Sequence, residues 1–166
     1  MKLEERVSRI LDGDVSPVAT FTLGIVPDER NPAVRPQAAD VLTRLLNEGR
    51  LTSFFDRPTN ERDGDCHDSA LSLLRDLRVA GADRGWVLVQ GVCKRIGLHS
   101  WLEFDGWAVD FSNTSLHPAL IMPLPFALQM WRPAQVRRFV AADFASKKKL
   151  KQFTERMPNK GRGAQR

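Results

Sequence analysis

The chain has 166 residues, 42% of them hydrophobic and 27% charged, which is ordinary for a soluble domain with a real core. No apolar run approaches the roughly 20 residues of a membrane span. The longest, ALIMPLPFALQMW, is short and broken by Pro123 and Pro125. The N-terminus, MKLEERVSRILDGD, is charged throughout and lacks a signal-peptide apolar region, so a cytoplasmic location is expected. The net charge of +5 is unevenly distributed: residues 147–166 hold eight Lys/Arg against one acid, and the remainder is mildly acidic. The two cysteines, Cys66 and Cys93, make no disulfide framework; in a reducing compartment they read as one reactive thiol and one buried one.

Residues 2–11 have the spacing of a short amphipathic helix, with Leu3, Val7, Ile10 and Leu11 on one side. The proline-rich stretch VSPVATFTLGIVPDERNPAVRP reads as extended chain and loop. PQAADVLTRLLNEG is helical, with Ala38, Val41, Leu42 and Leu45 on one face, Pro36 at its start and Gly49 at its stop. The strongest helix spans 66–80: Ala70, Leu73, Leu74 and Leu77 recur at helical spacing, Asp63 or Asp65 caps the start, and Gly81 ends it. GWVLVQGV reads as a buried strand, and LHSWLEFDGWAVDF as a hairpin closed by Asp105-Gly106. RPAQVRRFVAADFASKKKLKQF is a strand or a helix running into the basic tail. Helices first and strands later argue for α+β with an antiparallel sheet.

Cys66 stands behind DGD at the edge of a helix rather than on its apolar face. A thiol there has its thiolate stabilised by free backbone N–H groups and the helix dipole. The hairpin supplies partners. With Asp105 and Gly106 as the two loop residues, Phe104 pairs with Trp107, Leu102 with Val109 and Trp101 with Asp110. His99, Trp101 and Glu103 then share a face with Ala108 and Asp110. His99 and Asp110 become diagonal neighbours about 7–8 Å apart at the backbone, within reach of a carboxylate–imidazole contact. Cys66, His99 and Asp110 are a nucleophile, a base and an orienter, the set that acyl transfer through a thioester requires.

The run DCHDSALSLLRDLRVAG, a strand, and then LHSWLEFDGWAVDFS resembles the transglutaminase-like and papain-like cysteine enzymes over roughly residues 60–113. Within that superfamily it is most similar to small bacterial members such as leader peptidases of lasso-peptide maturation, and more distantly to arylamine N-acetyltransferases. The resemblance implies α+β architecture, N-terminal helices with the Cys-bearing helix packed on an antiparallel sheet, no metal or cofactor, and a peptide or protein as substrate. It assigns Cys66 as nucleophile, His99 as base and Asp110 as orienter. Asn60, six residues before the cysteine, holds the position where the papain-like members place an oxyanion-binding glutamine. Ser100 stands where alanine is common in the HAW motif. Trp101, on the triad face, is a packing residue or a wall of the substrate cleft.

Peptide hydrolysis is the first expectation, with protein-glutamine deamidation or transglutamination as alternatives. A different class remains: a non-catalytic module whose basic tail docks on an acidic partner or nucleic acid. Cys66, His67, Asp68 and His99 match no zinc-ligand spacing, and His67 reads as a surface helix residue. Cys93 reads as core and His117 as a loop residue. Residues 1–146 are expected to form a single domain, and residues 147–166 a basic tail contributing little to the core.

Overall fold

The computed structural model describes residues 23–51, 66–110 and 119–155; the expected helix over 2–11, the caps at Asp63 and Asp65, and His117 lie outside them. A short strand β1 (Gly24–Ile25) precedes helix α1 (Gln37–Asn47), which buries Ala38, Ala39, Leu42, Leu45 and Leu46. Pro36 precedes α1 with φ −67°, already suited to a helix start. Helix α2 (Cys66–Val79) buries Ala70, Leu73, Leu74 and Leu77 completely. It closes at Gly81, where Ala82 N–H donates to Leu77 O and Gly81 N–H to Arg78 O.

Strands β2 (Val87–Cys93), β3 (Gly97–Phe104) and β4 (Trp107–Asp110) form an antiparallel meander. The β3–β4 register pairs Phe104 with Trp107 and Leu102 with Val109. Both turn residues lie at positive φ, Asp105 at 49° and Gly106 at 80°, the conformation that favours Asp-Gly between two strands. Strand β5 (Leu120–Pro123) pairs with β4 and runs directly into helix α3 (Leu124–Trp131). Strand β6 (Pro133–Phe139) pairs with the other edge of β2; a 3₁₀ turn (Ala141–Ala145) and helix α4 (Lys147–Thr154) follow.

The six strands lie in the order β1-β5-β4-β3-β2-β6. The fold is α+β. The sheet departs from the purely antiparallel expectation at one edge, where β1 runs parallel to β5. A parallel partner cannot be joined by a tight hairpin, and here β1 and β5 are separated by most of the chain.

Alternate residues of the strands feed two cores. Leu88, Leu102, Val109 and Phe139 pack under α1 and α2, and Phe153 of α4 joins them. Val89, Trp101, Ala108 and Met122 pack on the opposite face against Ala127 and Trp131 of α3.

Residues 147–155, the described part of the expected basic tail, are not the loosely attached segment their lysines suggest. Leu150 packs against the first core, and Phe153 is 3% exposed within it. Gln90 Nε2 donates to Phe153 O at 3.1 Å, and Arg137 Nη1 donates to Gln152 O at 2.7 Å. Lysines dominate the composition of α4, but the apolar residues at i and i+3 decide where it sits. Phe153→Ala is therefore expected to lower the free energy of unfolding by about 3–5 kcal/mol. Chemical denaturation of the full chain checks this; a change below about 1 kcal/mol would return α4 to the status of an appendage.

Candidate active site

Among the described residues helix α2 starts at Cys66, which places the thiol in a first turn whose N–H groups have no described intrahelical partner. The body of α2 lies on the face that carries Ser100 and Leu102, whereas His99 and Trp101 point to the other face. The thiol meets His99 around an edge. Among the described residues, β4 flanks β3 only as far as Leu102, and β3 continues beyond that point to Gly97. The start of α2 reaches this stretch of β3, where the Ser100 backbone N–H donates to the Cys66 sulfur.

His99 extends from β3, buried to 5% exposure, opposite Gly91 of β2. Its Nε2 lies 3.3 Å from Asp110 Oδ2. The ring N–H is off the line to that oxygen, so the pair is a close ionic contact rather than a well-aligned hydrogen bond. Resting sites commonly show such looseness, which tightens when substrate binds. The His99 ring also bonds the Cys66 thiol. The sequence-predicted set Cys66, His99 and Asp110 thus comes together in one chain of contacts.

The electrostatics of this chain favour an ion pair. Burial alone would raise the Cys66 pKa, but hydrogen bonds from His67, His99 and the Ser100 backbone outweigh it and lower it to about 6. Burial alone would lower the His99 pKa, but the Asp110 carboxylate and the thiol outweigh it and raise it to about 9. Both displacements favour a thiolate beside an imidazolium near pH 7. Cys93 is the contrast: burial, then the negative charge of Cys66 and Asp110, push it up to about 11.

Trp101 does not wall an open cleft; it is fully buried. Its ring lies nearly parallel to His99 at 6.0 Å between centroids, and Trp131 of α3 meets His99 edge-on at 5.0 Å. Trp101 Nε1 donates to Glu103 Oε1 at 3.0 Å, and Arg138 Nη1 donates to Glu103 Oε2 at 2.6 Å. The indole is thereby fixed beneath the imidazole. Gly91 makes room for it: a Cβ there would sit 3.0 Å from Trp101 Cη2.

His67 is not the surface residue that its position suggested. Its ring is half-buried, Nδ1 lies 2.5 Å from Ser100 Oγ, and Phe153 meets it edge-on at 6.3 Å. Asn60 lies outside the described residues. Sequence reasoning also missed Trp131, whose distance from the hairpin in sequence left no local signal. A shallow polar depression of about 360 Å³ along α1, bordered by Arg35, Asp40, Thr43 and Arg44, includes none of the site residues.

No family model matches this chain, and neither a curated protein nor a solved structure matches it significantly.

Proposed function

We propose that this protein is a cysteine-dependent amide hydrolase or acyl transferase of the transglutaminase-like kind, acting on a peptide or protein, with peptide hydrolysis as its first activity. The observation that carries the reading is the contact chain of Cys66, His99 and Asp110, with the thiol at the start of a helix and the imidazole 3.3 Å from a carboxylate. The packing of the Cys-bearing helix on an antiparallel meander supports the transglutaminase-like assignment. Two unpaired thiols are compatible with a reducing, cytoplasmic setting.

In the proposed mechanism the Cys66 thiolate attacks a carbonyl carbon. The oxyanion that forms is held by the Cys66 N–H at the helix start. His99 gives its proton to the departing amine, leaving a thioester on Cys66. Water or a second amine then attacks the thioester and loses a proton to His99, and the thiolate departs. Water gives hydrolysis of a peptide bond or deamidation of a carboxamide; an amine gives transfer.

The test is covalent. A peptide-acyl electrophile, or a glutamine analogue, should label Cys66, as read by peptide mass spectrometry. Absence of label on Cys66 would overturn the proposal. A simpler prediction concerns iodoacetamide at pH 7. With Cys66 lowered to about 6 and Cys93 raised to about 11, the thiolate fractions differ by nearly four powers of ten. The higher intrinsic nucleophilicity of a high-pKa thiolate takes back about two of them, so Cys66 should be alkylated roughly a hundredfold faster. Burial of Cys93 at 2% exposure widens the gap. Equal rates would count against a special role for Cys66.

A further inference from the structure

Beyond the triad, the Cys66 sulfur has a second imidazole. We propose that His67, held by Ser100, is a further catalytic residue that stabilises the Cys66 thiolate from the side opposite His99, with Ser100 as its positioning residue. The inference deepens the cysteine-enzyme reading and rests on it.

The geometry makes the case. His67 follows Cys66 in the first turn of α2 and lies on the α2 side of the sheet, with Ser100; His99 lies on the other side. The sulfur, beside the stretch of β3 that α2 reaches, therefore meets one ring from each face. His67 is also held in place. Ser100 Oγ fixes its Nδ1 at 2.5 Å, and the edge-on Phe153 ring limits its swing. Phe153 is itself held by the bond from Gln90 to its carbonyl. A solvated helix histidine would have no such enclosure. The serine that departs from the HAW pattern is the residue that holds this second ring, and alanine there would leave His67 Nδ1 without this partner.

The two rings have different work. His99 faces Asp110 and carries the proton that moves. His67 exchanges no proton; it bonds the sulfur when the sulfur carries charge. That occurs in the resting thiolate, and again when the thioester C–S bond breaks and sulfur leaves with the electron pair. A better-stabilised leaving thiolate speeds release of the acyl group to water or amine.

The test reads the sulfur directly and needs no substrate. Among the described residues, the titratable groups that act on the sulfur are His67 from α2 and His99 from β3, with Cys93 of β2 coupled to it and Asp110 of β4 behind His99. Iodoacetamide alkylation of Cys66 is followed by mass spectrometry from pH 4.5 to 9.5 in the full chain, for wild type, His67→Gln, Ser100→Ala and the double variant. His99→Gln serves as the control. In wild type the rate rises with a midpoint near 6. Loss of one charge-assisted hydrogen bond should raise that midpoint by about one pH unit, slowing alkylation about fivefold at pH 6 and hardly at all at pH 9. Ser100→Ala should move it the same way, and the double variant no further than His67→Gln, because the hydroxyl acts through the ring. Ser100→Ala removes a single oxygen, so it remains informative if the histidine variant folds poorly.

A wild-type midpoint near 6 that neither variant moves would overturn the role of His67 and leave the His99 reading standing. A wild-type midpoint near that of an ordinary thiol would overturn both.

Discussion

In Cys66→Ala, both labelling by an acyl probe and amide turnover fall to background, a loss on the order of 10⁴-fold or more. The variant changes little else. Cys66 is 7% exposed, and its side chain begins a helix whose stability rests on Ala70, Leu73, Leu74 and Leu77. Alanine in the first turn keeps that helix, so unfolding should be nearly unaltered. His99→Ala should fall almost as far, because the thiol loses its base and the leaving amine its acid. The two effects should not add: a group that takes the proton is worth nothing once the sulfur is gone. Removing His99 also opens a void against the contacting rings of Trp101 and Trp131, so its folding must be checked by near-UV circular dichroism before its rate is interpreted. The measurement is turnover of whichever substrate the covalent probe identifies. Turnover that survives in Cys66→Ala would sink the thioester mechanism, whereas a wild type that neither labels nor turns over would favour the binding-module alternative.

How much of this was legible in the sequence differs from element to element. The β3–β4 hairpin was readable to the residue, because Asp-Gly fixes a two-residue turn and the turn fixes the register. That register placed His99 and Asp110 on one face. Helix α2 was readable from its four leucine and alanine positions. What the sequence hid was determined by long-range packing. β5 and α3 share the run LIMPLPFALQMW, in which apolar residues are too dense to show either period; the break comes at Pro123. α4 was masked by its lysines, since two apolar positions are a thin signal beside four cations. His67 was misread because its neighbours in sequence are polar, whereas its neighbours in space, Ser100 and Phe153, come from β3 and α4. The departure at Ser100 has no visible consequence until its partner in space, His67, is known.

Asp110→Asn should lower kcat/KM by about a hundredfold while leaving the fold intact, and should narrow the active pH range from both ends. In the wild type the productive form is thiolate with imidazolium. Activity should rise as Cys66 ionises near pH 6 and fall as His99 loses its proton near pH 9. Because the two groups are in contact, these limbs belong to the pair rather than to either residue alone. The sign of the change follows from the causes of each displacement. Burial opposes charge on His99, and Asp110 is the foremost group that overcomes it. An asparagine can still orient the ring but cannot stabilise its cation. The alkaline limb should therefore move down from about 9 toward the ordinary imidazole range. With the imidazolium weakened, the thiolate loses one of its supports and the acid limb should move up. The window closes, and the ion pair becomes a minor species at pH 7. At 12% side-chain exposure, the Asp110 carboxyl is large enough to be structural and small enough that asparagine fits without repacking. The profile distinguishes the two roles: a structural defect would scale the whole curve down at unchanged limbs, whereas loss of the carboxylate moves them. An Asp110→Asn profile that keeps both limbs would remove Asp110 from the catalytic chain and leave Cys66 and His99 to act as a dyad.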